Sequence, residues 1–167
     1  MKWVAFPLHP EIPQQGQTLA ELFAGQAFDL PRMLDRMQHV ARELDLPVRE
    51  RQRVSNSRRA TELGKWAEGL GRGDEFHRAV FHAYFAEGVD IGNLDVLQNI
   101  CSRLDLDPDE AGRVLAEGRC RDQVDEDWAY ALRLGVNAVP TFLSGGRRVV
   151  GAQPYEVLRS LVAESKL

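Results

Sequence analysis

A pair of glycines near the end of the sequence constrains the fold more than any other feature. Gly145 and Gly146 separate the apolar run Thr141–Leu143 from the run Arg147–Val150. Two glycines between two such runs are typical of the tight turn of a β-hairpin. Residues 18–133, by contrast, carry apolar side chains mainly at helical spacing. The sequence therefore predicts an α/β protein in which a long helical region precedes a short hairpin.

Capping residues and glycines mark the ends of the predicted helices. Thr18 is followed three residues later by Glu21, which is the pattern of a capping box. Asp107 precedes Pro108, and this pair favours a helix start because the first helical nitrogen needs no hydrogen-bond partner. The other predicted starts are Asp29, Asn56 or Ser57, Asp74, Asn93, Arg121 and Pro154, and the predicted ends are Gly25, Pro47, Gly71, Gly88, Gly118 and Gly135.

The N-terminal segment is predicted to be a strand. Trp3–Phe6 is a short apolar run, and Pro7, Pro10 and Pro13 follow it. A short apolar run bounded by prolines is typical of a buried strand that leads into a loop.

The composition argues against several classes of protein. Of the 167 residues, 44% are hydrophobic and 28% are charged, which are ordinary values for a globular domain. The net charge of −4 argues against a dedicated nucleic-acid-binding protein, because such proteins usually have a basic surface. Met1–Leu8 begins like a signal peptide, but its apolar run stops at Pro7, and no run of about 20 apolar residues follows. We therefore expect a cytoplasmic protein without a membrane segment.

Cys101 and Cys120 are the two thiols of this sequence, and neither belongs to a Cys-x-x-Cys motif or to a zinc-binding spacing. Cys101 lies in an apolar helical segment, so we expect a buried and inert side chain. Cys120 lies between Arg119 and Arg121 at a helix start, where positive charge and helix N–H groups can lower the pKa of a thiol. Both are candidate reactive thiols, although an inert role is favoured for each, and no metal site is expected.

Two charged segments have both a functional and a simpler interpretation. Arg49–Arg59 contains five arginines and one glutamate, and it either binds an anion or is a solvated connector; we favour the connector. Asp125, Glu126 and Asp127 form an acidic cluster in the first half of a helix, where the helix dipole favours acidic side chains. We expect these three carboxylates to be exposed to solvent.

Several motifs, in the same order along the chain, resemble those of one protein family. Leu134–Phe142 resembles the loop G-V-x-x-V-P-T-F of thioredoxin-fold proteins, and Val149–Pro154 resembles the v-x-G-A-Q-P ending of one branch. Asn56–Ala60 and Phe81–Ile91 are similar to the segments N-S/T-x-x-A and L-f-x-A-y-F-x-e-G-x-d-i of that branch, and Trp3–Pro10 is similar to its second strand. The branch is the DsbA-like family, which includes the FrnE-type oxidoreductases and the 2-hydroxychromene-2-carboxylate isomerases.

The resemblance implies a thioredoxin-like α/β fold with a large all-helical insertion. Residues 1–10 and 134–167 would form the thioredoxin-like part of a single domain, and residues 18–133 mainly the insertion. Members of the family begin with a strand and a helix that carries Cys-x-x-Cys, a unit of roughly 40 residues that is missing before Trp3. A gene fragment or a misassigned start, a true shortened homologue, or a strand supplied by a partner chain would each account for this gap.

The activity that the resemblance implies is thiol–disulfide oxidoreduction, in which a thiolate forms a mixed disulfide that a second cysteine resolves. In the family, the proline at the position of Pro140 is cis, and the backbone of the preceding residue, here Val139, binds an extended substrate. We therefore expect Val139, Pro140 and Thr141 to bind a thiol or disulfide peptide or a small-molecule thiol, without a cofactor. Because the Cys-x-x-Cys is missing, this chain alone is expected to be redox-inactive.

Two alternatives arise from the same resemblance. One is a glutathione-dependent isomerase, with glutathione as its cofactor and with Asn56 and the segment Arg49–Arg59 in contact with the tripeptide. The other is a non-catalytic binding protein or a swapped homodimer built on the same fold. None of the three interpretations includes a nucleic acid or a membrane as a partner.

Overall fold

The computed structural model describes residues 2–6, 8–25 and 29–163. Contacts between Cα atoms divide the chain into two compact units. The first, which we call the helical unit, is the continuous segment His9–Val124. The second, which we call the hairpin unit, combines Met1–Leu8 with Asp125–Leu167.

The described part of the helical unit consists of helices and one pair of very short strands. The two strands are antiparallel, with Gln17 opposite Val54. The elements are β1 (Gln17–Thr18), α1 (Leu19–Leu22), α2 (Leu30–Glu43), β2 (Arg53–Val54), α3 (Arg58–Gly69), α4 (Gly73–His82), a π-helical turn (Ala83–Glu87), α5 (Leu94–Arg103), α6 (Pro108–Glu117) and the first turn of α7 (Arg121–Arg133).

The strongest capping signals of the sequence form the predicted caps. Thr18 and Glu21 make a reciprocal capping box at the start of α1. The Asp107 carboxylate accepts hydrogen bonds from two free N–H groups at the start of α6, those of Asp109 at 2.9 Å and Glu110 at 3.1 Å. Gly118 ends α6 with a φ of 66°, a left-handed conformation that glycine adopts without steric cost.

Two predicted helix ends are displaced in the structure, and at a third the two candidate capping residues share the role. The helix α2 ends at Glu43, before Pro47, because Asp45 takes a positive φ of 51° and turns the chain away. Ser57 stands at the N-cap position of α3, but the Asn56 side chain accepts the hydrogen bond, from the Arg58 N–H at 2.9 Å. The helix α4 starts at Gly73, so Asp74 lies in its first turn and does not cap it.

The hydrophobic core of the helical unit lies between α3, α4, α5 and α6. Leu63, Phe76, Leu97 and Ile100 are fully buried in it. The predicted inner face of α2 is only partly buried: Ala41 is buried, but most of the other apolar side chains on this helix keep contact with solvent.

The hairpin unit contains the rest of α7, followed by β3 (Thr141–Ser144), β4 (Arg147–Val150) and α8 (Tyr155–Ala163). The strands β3 and β4 are antiparallel, and their register places Thr141 opposite Val150. Gly145 and Gly146 have φ angles of 56° and 77°, as the two central residues of a type I′ turn require. The predicted hairpin is therefore confirmed.

The predicted strand Trp3–Phe6 is not formed, and the prediction for Asp127 was wrong. The segment has no regular secondary structure and no strand partner in the described part of the chain. A strand needs a neighbour for its backbone groups, and here a side chain serves instead: the Ala5 N–H donates to Oδ2 of Asp127 at 2.8 Å. Asp127 is only 9% exposed, because it faces this segment and not the solvent.

Candidate functional site

A well-defined helix end leads into the loop that the sequence singled out. The Gly135 N–H donates to the Leu132 carbonyl oxygen at 2.9 Å, and the Val136 N–H donates to the Ala131 carbonyl oxygen at 3.0 Å. These two bonds, with a φ of 66° at Gly135, are those of a Schellman motif. Val136 is buried just after the turn, so the direction in which the chain leaves α7 is fixed.

Hydrogen bonds from three sides hold the loop between α7 and β3. Nη1 of Arg148, on β4, donates to the Gly135 carbonyl oxygen at 2.9 Å. The Thr141 hydroxyl donates to the Ala138 carbonyl oxygen at 2.6 Å, and the Gly151 N–H donates to the Pro140 carbonyl oxygen at 2.8 Å. The sequence did not predict the role of Arg148, because a single arginine on a hairpin strand carries no local signal of a contact across the hairpin.

Val139 is one of the exposed residues of this loop. Its residue surface is 43% exposed, and the peptide bond between Val139 and Pro140 is cis. Among residues 2–6, 8–25 and 29–163, none forms a hydrogen bond with the backbone N–H or C=O of Val139. The three predicted substrate-binding residues, Val139, Pro140 and Thr141, thus lie on one anchored loop with a backbone position open to a partner.

The two cysteines lie in the core of the helical unit, and both thiols are free. Burial raises the pKa of the Cys101 thiol to about 11. For Cys120, burial raises the pKa, the carboxylate of Glu62 raises it further, and the charge of Arg119 opposes them only weakly. The neighbouring arginines therefore do not lower the pKa of Cys120. Neither side chain has the properties of a reactive thiolate, which is typically exposed and has a low pKa.

The arginines of the segment Arg49–Arg59 make separate contacts. The guanidinium of Arg51 lies 3.9 Å from the ring centroid of Tyr84 and 4.5 Å from that of Phe85. Burial lowers the pKa of Arg51, and burial also raises the pKa of Tyr84. Arg53 donates to the Gln15 carbonyl oxygen at 3.1 Å. Arg51 and Arg53 thus serve the packing of the helical unit and not a shared anion site.

The described part of the chain offers neither a metal centre nor a membrane-spanning helix. No group of three His, Cys, Asp or Glu side chains in residues 2–6, 8–25 and 29–163 is placed to hold a metal ion. No helix in those ranges is both long enough and apolar enough to cross a membrane.

Comparisons with known proteins bear on the fold and the family. The sequence matches the family model of the DSBA-like thioredoxin domain over residues 1–163. A solved structure of a probable DsbA oxidoreductase from Streptomyces coelicolor is similar, with a TM-score of 0.85 and 24% identity, over 98% of this chain and 74% of its own. A 2-hydroxychromene-2-carboxylate isomerase is similar, with a TM-score of 0.77 and 18% identity, over 99% of this chain and 79% of its own. These likenesses confirm the thioredoxin-like α/β fold with a helical insertion.

One curated protein is related at the level of sequence. The uncharacterized protein YwbO of Bacillus subtilis (strain 168) is 26% identical over 102 residues, which are 60% of this chain. The chain spans about half of the length of that relative, 51%.

Proposed function

Because the chain belongs to the family of DSBA-like thioredoxin domains, we propose that it is a thiol–disulfide oxidoreductase-like protein whose loop Val139–Thr141 binds the substrate. The proposed substrate is an extended thiol or disulfide peptide, or a small-molecule thiol. The observation that supports this most is Val139, an exposed residue whose backbone N–H and C=O have no hydrogen-bond partner among the described residues. An extended peptide could pair with it as a strand pairs with a sheet edge.

We further propose that these 167 residues do not by themselves catalyse disulfide exchange. In that exchange a thiolate attacks a disulfide, one S–S bond forms as another breaks, and the displaced sulfur leaves as a thiolate. The attacking group must be an accessible thiolate. Cys101 and Cys120 are buried with raised pKa values, so neither fits this role. The chain would then contribute substrate binding, and the dithiol would come from outside it.

A binding experiment tests the role of the loop. The probe is an eight-residue extended peptide with one central cysteine blocked as its methyl disulfide, titrated into the protein and followed by NMR. Val139→Pro removes the free N–H, and we expect binding to weaken at least about tenfold, since roughly 1.4 kcal/mol corresponds to that factor. Val139→Ala keeps the backbone and should bind as the wild type does. Equal loss in both variants, with intact hairpin signals, would contradict backbone pairing.

A turnover experiment tests the second proposal. The reduction of insulin by dithiothreitol should proceed at the same rate with and without the chain. If the chain accelerates it, and Cys101→Ala or Cys120→Ala removes the acceleration, the proposal of redox inactivity is wrong.

Glutathione-dependent isomerisation is the second candidate, and the fold similarity to 2-hydroxychromene-2-carboxylate isomerase is what favours it. The residues expected to contact the tripeptide fit it poorly. The Asn56 side chain already donates to the Ile12 carbonyl oxygen at 2.7 Å and accepts from the Arg58 N–H. We therefore propose no reaction with glutathione for this chain. Tight calorimetric binding of glutathione without binding of the peptide probe would reverse this choice.

The setting that we propose is the cytoplasm, without nucleic acid or membrane as partners. Two free thiols are compatible with a reducing compartment. A homodimer that completes the sheet stays a proposal, and light scattering over a range of protein concentrations would test it.

A further inference from the structure

A cavity of about 410 Å³ lies within the helical unit. Its wall is formed in part by Arg58, Arg59 and Arg121, and in part by the apolar side chains of Leu94 and Leu115. It shares no residue with the loop Val139–Thr141, so a role for this cavity is independent of the proposed function. A cavity lined by both basic and apolar residues suits a small amphipathic ligand.

The carboxylate in this wall is already neutralised. Glu62 is only 5% exposed, and its Oε1 accepts a hydrogen bond from Nε of Arg58 at 2.6 Å. Nη2 of Arg58 also donates to the Arg121 carbonyl oxygen at 3.0 Å. This second bond ties together the first residues of α3 and α7. Arg58 and Glu62 therefore form a fixed, net-neutral part of the wall.

The other two arginines of the wall have no such neutralisation. Arg59 donates one bond, from Nη1 to the Gly92 carbonyl oxygen at 3.3 Å. No carboxylate in the part of the chain that the structure describes forms an ion pair with Arg59 or Arg121. By contrast Arg113, on the neighbouring α6, pairs with Glu110 at 2.6 Å. Two arginine residues of the wall thus have no ion-pair partner among the described residues.

The N-termini of two helices also favour an anion in this cavity. Both α3 and α7 begin at residues of the cavity wall, Arg58 and Arg121. The N-terminus of a helix has a partial positive charge and free N–H groups, which favour an anion nearby. Guanidinium groups add planar, charge-assisted hydrogen bonds to carboxylate or phosphate oxygens.

The volume and the apolar side limit the ligand. A water molecule takes about 30 Å³ in the liquid, so the cavity has the volume of about a dozen waters, which suits a small organic molecule. That is too small for a folded partner or a nucleic acid. Leu94 and Leu115 offer an apolar surface for a hydrocarbon body, while inorganic phosphate would leave that surface unused.

From this geometry we propose that the cavity binds a small organic anion, with a carboxylate or phosphate head group on Arg59 and Arg121 and an apolar body against Leu94 and Leu115. The site is a binding site and carries no covalent step.

The test uses the whole chain and defined probes. 4-Phenylbutyrate, phenyl phosphate, the neutral 4-phenylbutanol and inorganic phosphate are each titrated, and NMR follows the amides of Leu115 and Ala116 and the Nε–H signals of the arginines. We expect saturable binding of the two organic anions, and binding at least about tenfold weaker for 4-phenylbutanol and for inorganic phosphate. A preference between the carboxylate and the phosphate would identify the head group.

Matched variants separate this site from general charge. Arg59→Gln and Arg121→Gln should each weaken the binding of 4-phenylbutyrate at least about fivefold, since each removes a charge-assisted contact. Arg113→Gln removes the same charge from α6 but has no place in the wall, so it should bind as the wild type does. Ala116→Leu keeps every charge and fills the cavity, and it should abolish binding.

Three results would overturn the proposal: no saturable binding of either organic anion, equal binding of the neutral alcohol, or an equal effect of Arg113→Gln. Unfolding curves for each variant show whether it is folded. If one arginine variant does not fold, Ala116→Leu provides the deciding test. Binding that persists when the cavity is filled would mean that the anion binds elsewhere.

Discussion

At the scale of single residues, the two thiols differ from reactive cysteines because both are buried in the hydrophobic core. The family to which the chain belongs is named for a disulfide enzyme, yet Cys101 and Cys120 serve as small core side chains among Leu97, Ile100 and Val114. Desolvation of a thiolate in such a core outweighs the nearby positive charge of Arg119. That guanidinium is also engaged by Glu110 and Glu117.

The buried thiols should resist labelling in the native protein. At pH 7.5 we expect Ellman's reagent to react with neither Cys101 nor Cys120 in buffer, and with both in 8 M urea. The pKa of Cys101 is raised from 9.0 to about 11 in the folded state, so the unfolded chain loses this proton first. The contribution of Cys101 to the free energy of unfolding should therefore be complete below pH 9 and decrease between about pH 9 and 11.

Cys101→Ala and Cys120→Ala provide the control, since each leaves one thiol and assigns the labelling rates. Rapid labelling of either cysteine at pH 7.5 in buffer would contradict the burial of these side chains.

At the scale of elements, the helix caps distinguish local from long-range control. The cap of α6 is made by one side chain, Asp107, which accepts from two backbone N–H groups. Such a cap depends only on residues within three positions of each other, so the local sequence is enough to predict it.

Asp107→Ala should lower the free energy of unfolding by about 1 kcal/mol, because two N–H groups of the first turn of α6 lose their acceptor. The control is Asp109→Ala, which removes an acidic side chain from the same turn without removing the cap. Urea denaturation of both variants gives the comparison. If Asp109→Ala costs as much as Asp107→Ala, the effect is that of charge near the helix end and not of capping.

The same distinction explains what the sequence could predict. The hairpin with Gly145 and Gly146, the cap at Asp107 and the end at Gly118 all depend on a few adjacent residues, and all are present. The pairing of β1 with β2 and the contact between Ala5 and Asp127 join residues far apart in the chain. No local pattern specifies such partners, so the strand at Trp3–Phe6 was predicted without a neighbour to pair with.

In the candidate sites, too, residues in a contiguous motif could be predicted, whereas residues brought together by packing could not. Val139, Pro140 and Thr141 could be named because their motif is contiguous. Arg148 was missed, as was the cavity that brings Arg59 and Arg121 together, since these depend on how separate elements pack. The prediction that Asp127 is exposed was wrong for the same reason, because its burial depends on a segment far away in the sequence.

At the scale of the whole molecule, the two units differ in their cores. The helical unit buries a continuous cluster that includes Leu63, Phe76 and Leu97. In the hairpin unit, Ala131, Val136 and Leu161 are buried among the described residues. Local stability increases with the amount of buried apolar packing.

Native-state hydrogen exchange should reveal this difference. The amides of Leu97–Cys101 should exchange at least about a hundredfold more slowly than those of Phe142 and Leu143, because opening α5 exposes the main core. NMR measures both sets in one sample. Equal protection would mean that the two units open together as one cooperative structure.

The division of the chain between the units has a consequence for synthesis. The helical unit is one uninterrupted segment, whereas the hairpin unit needs both ends of the chain, and the Ala5–Asp127 bond spans 122 positions. A ribosome therefore delivers every residue of the helical core before the partners of the first eight residues exist. The nascent chain can complete the helical unit first, and the contact between Ala5 and Asp127 forms only after Asp127 has been synthesised.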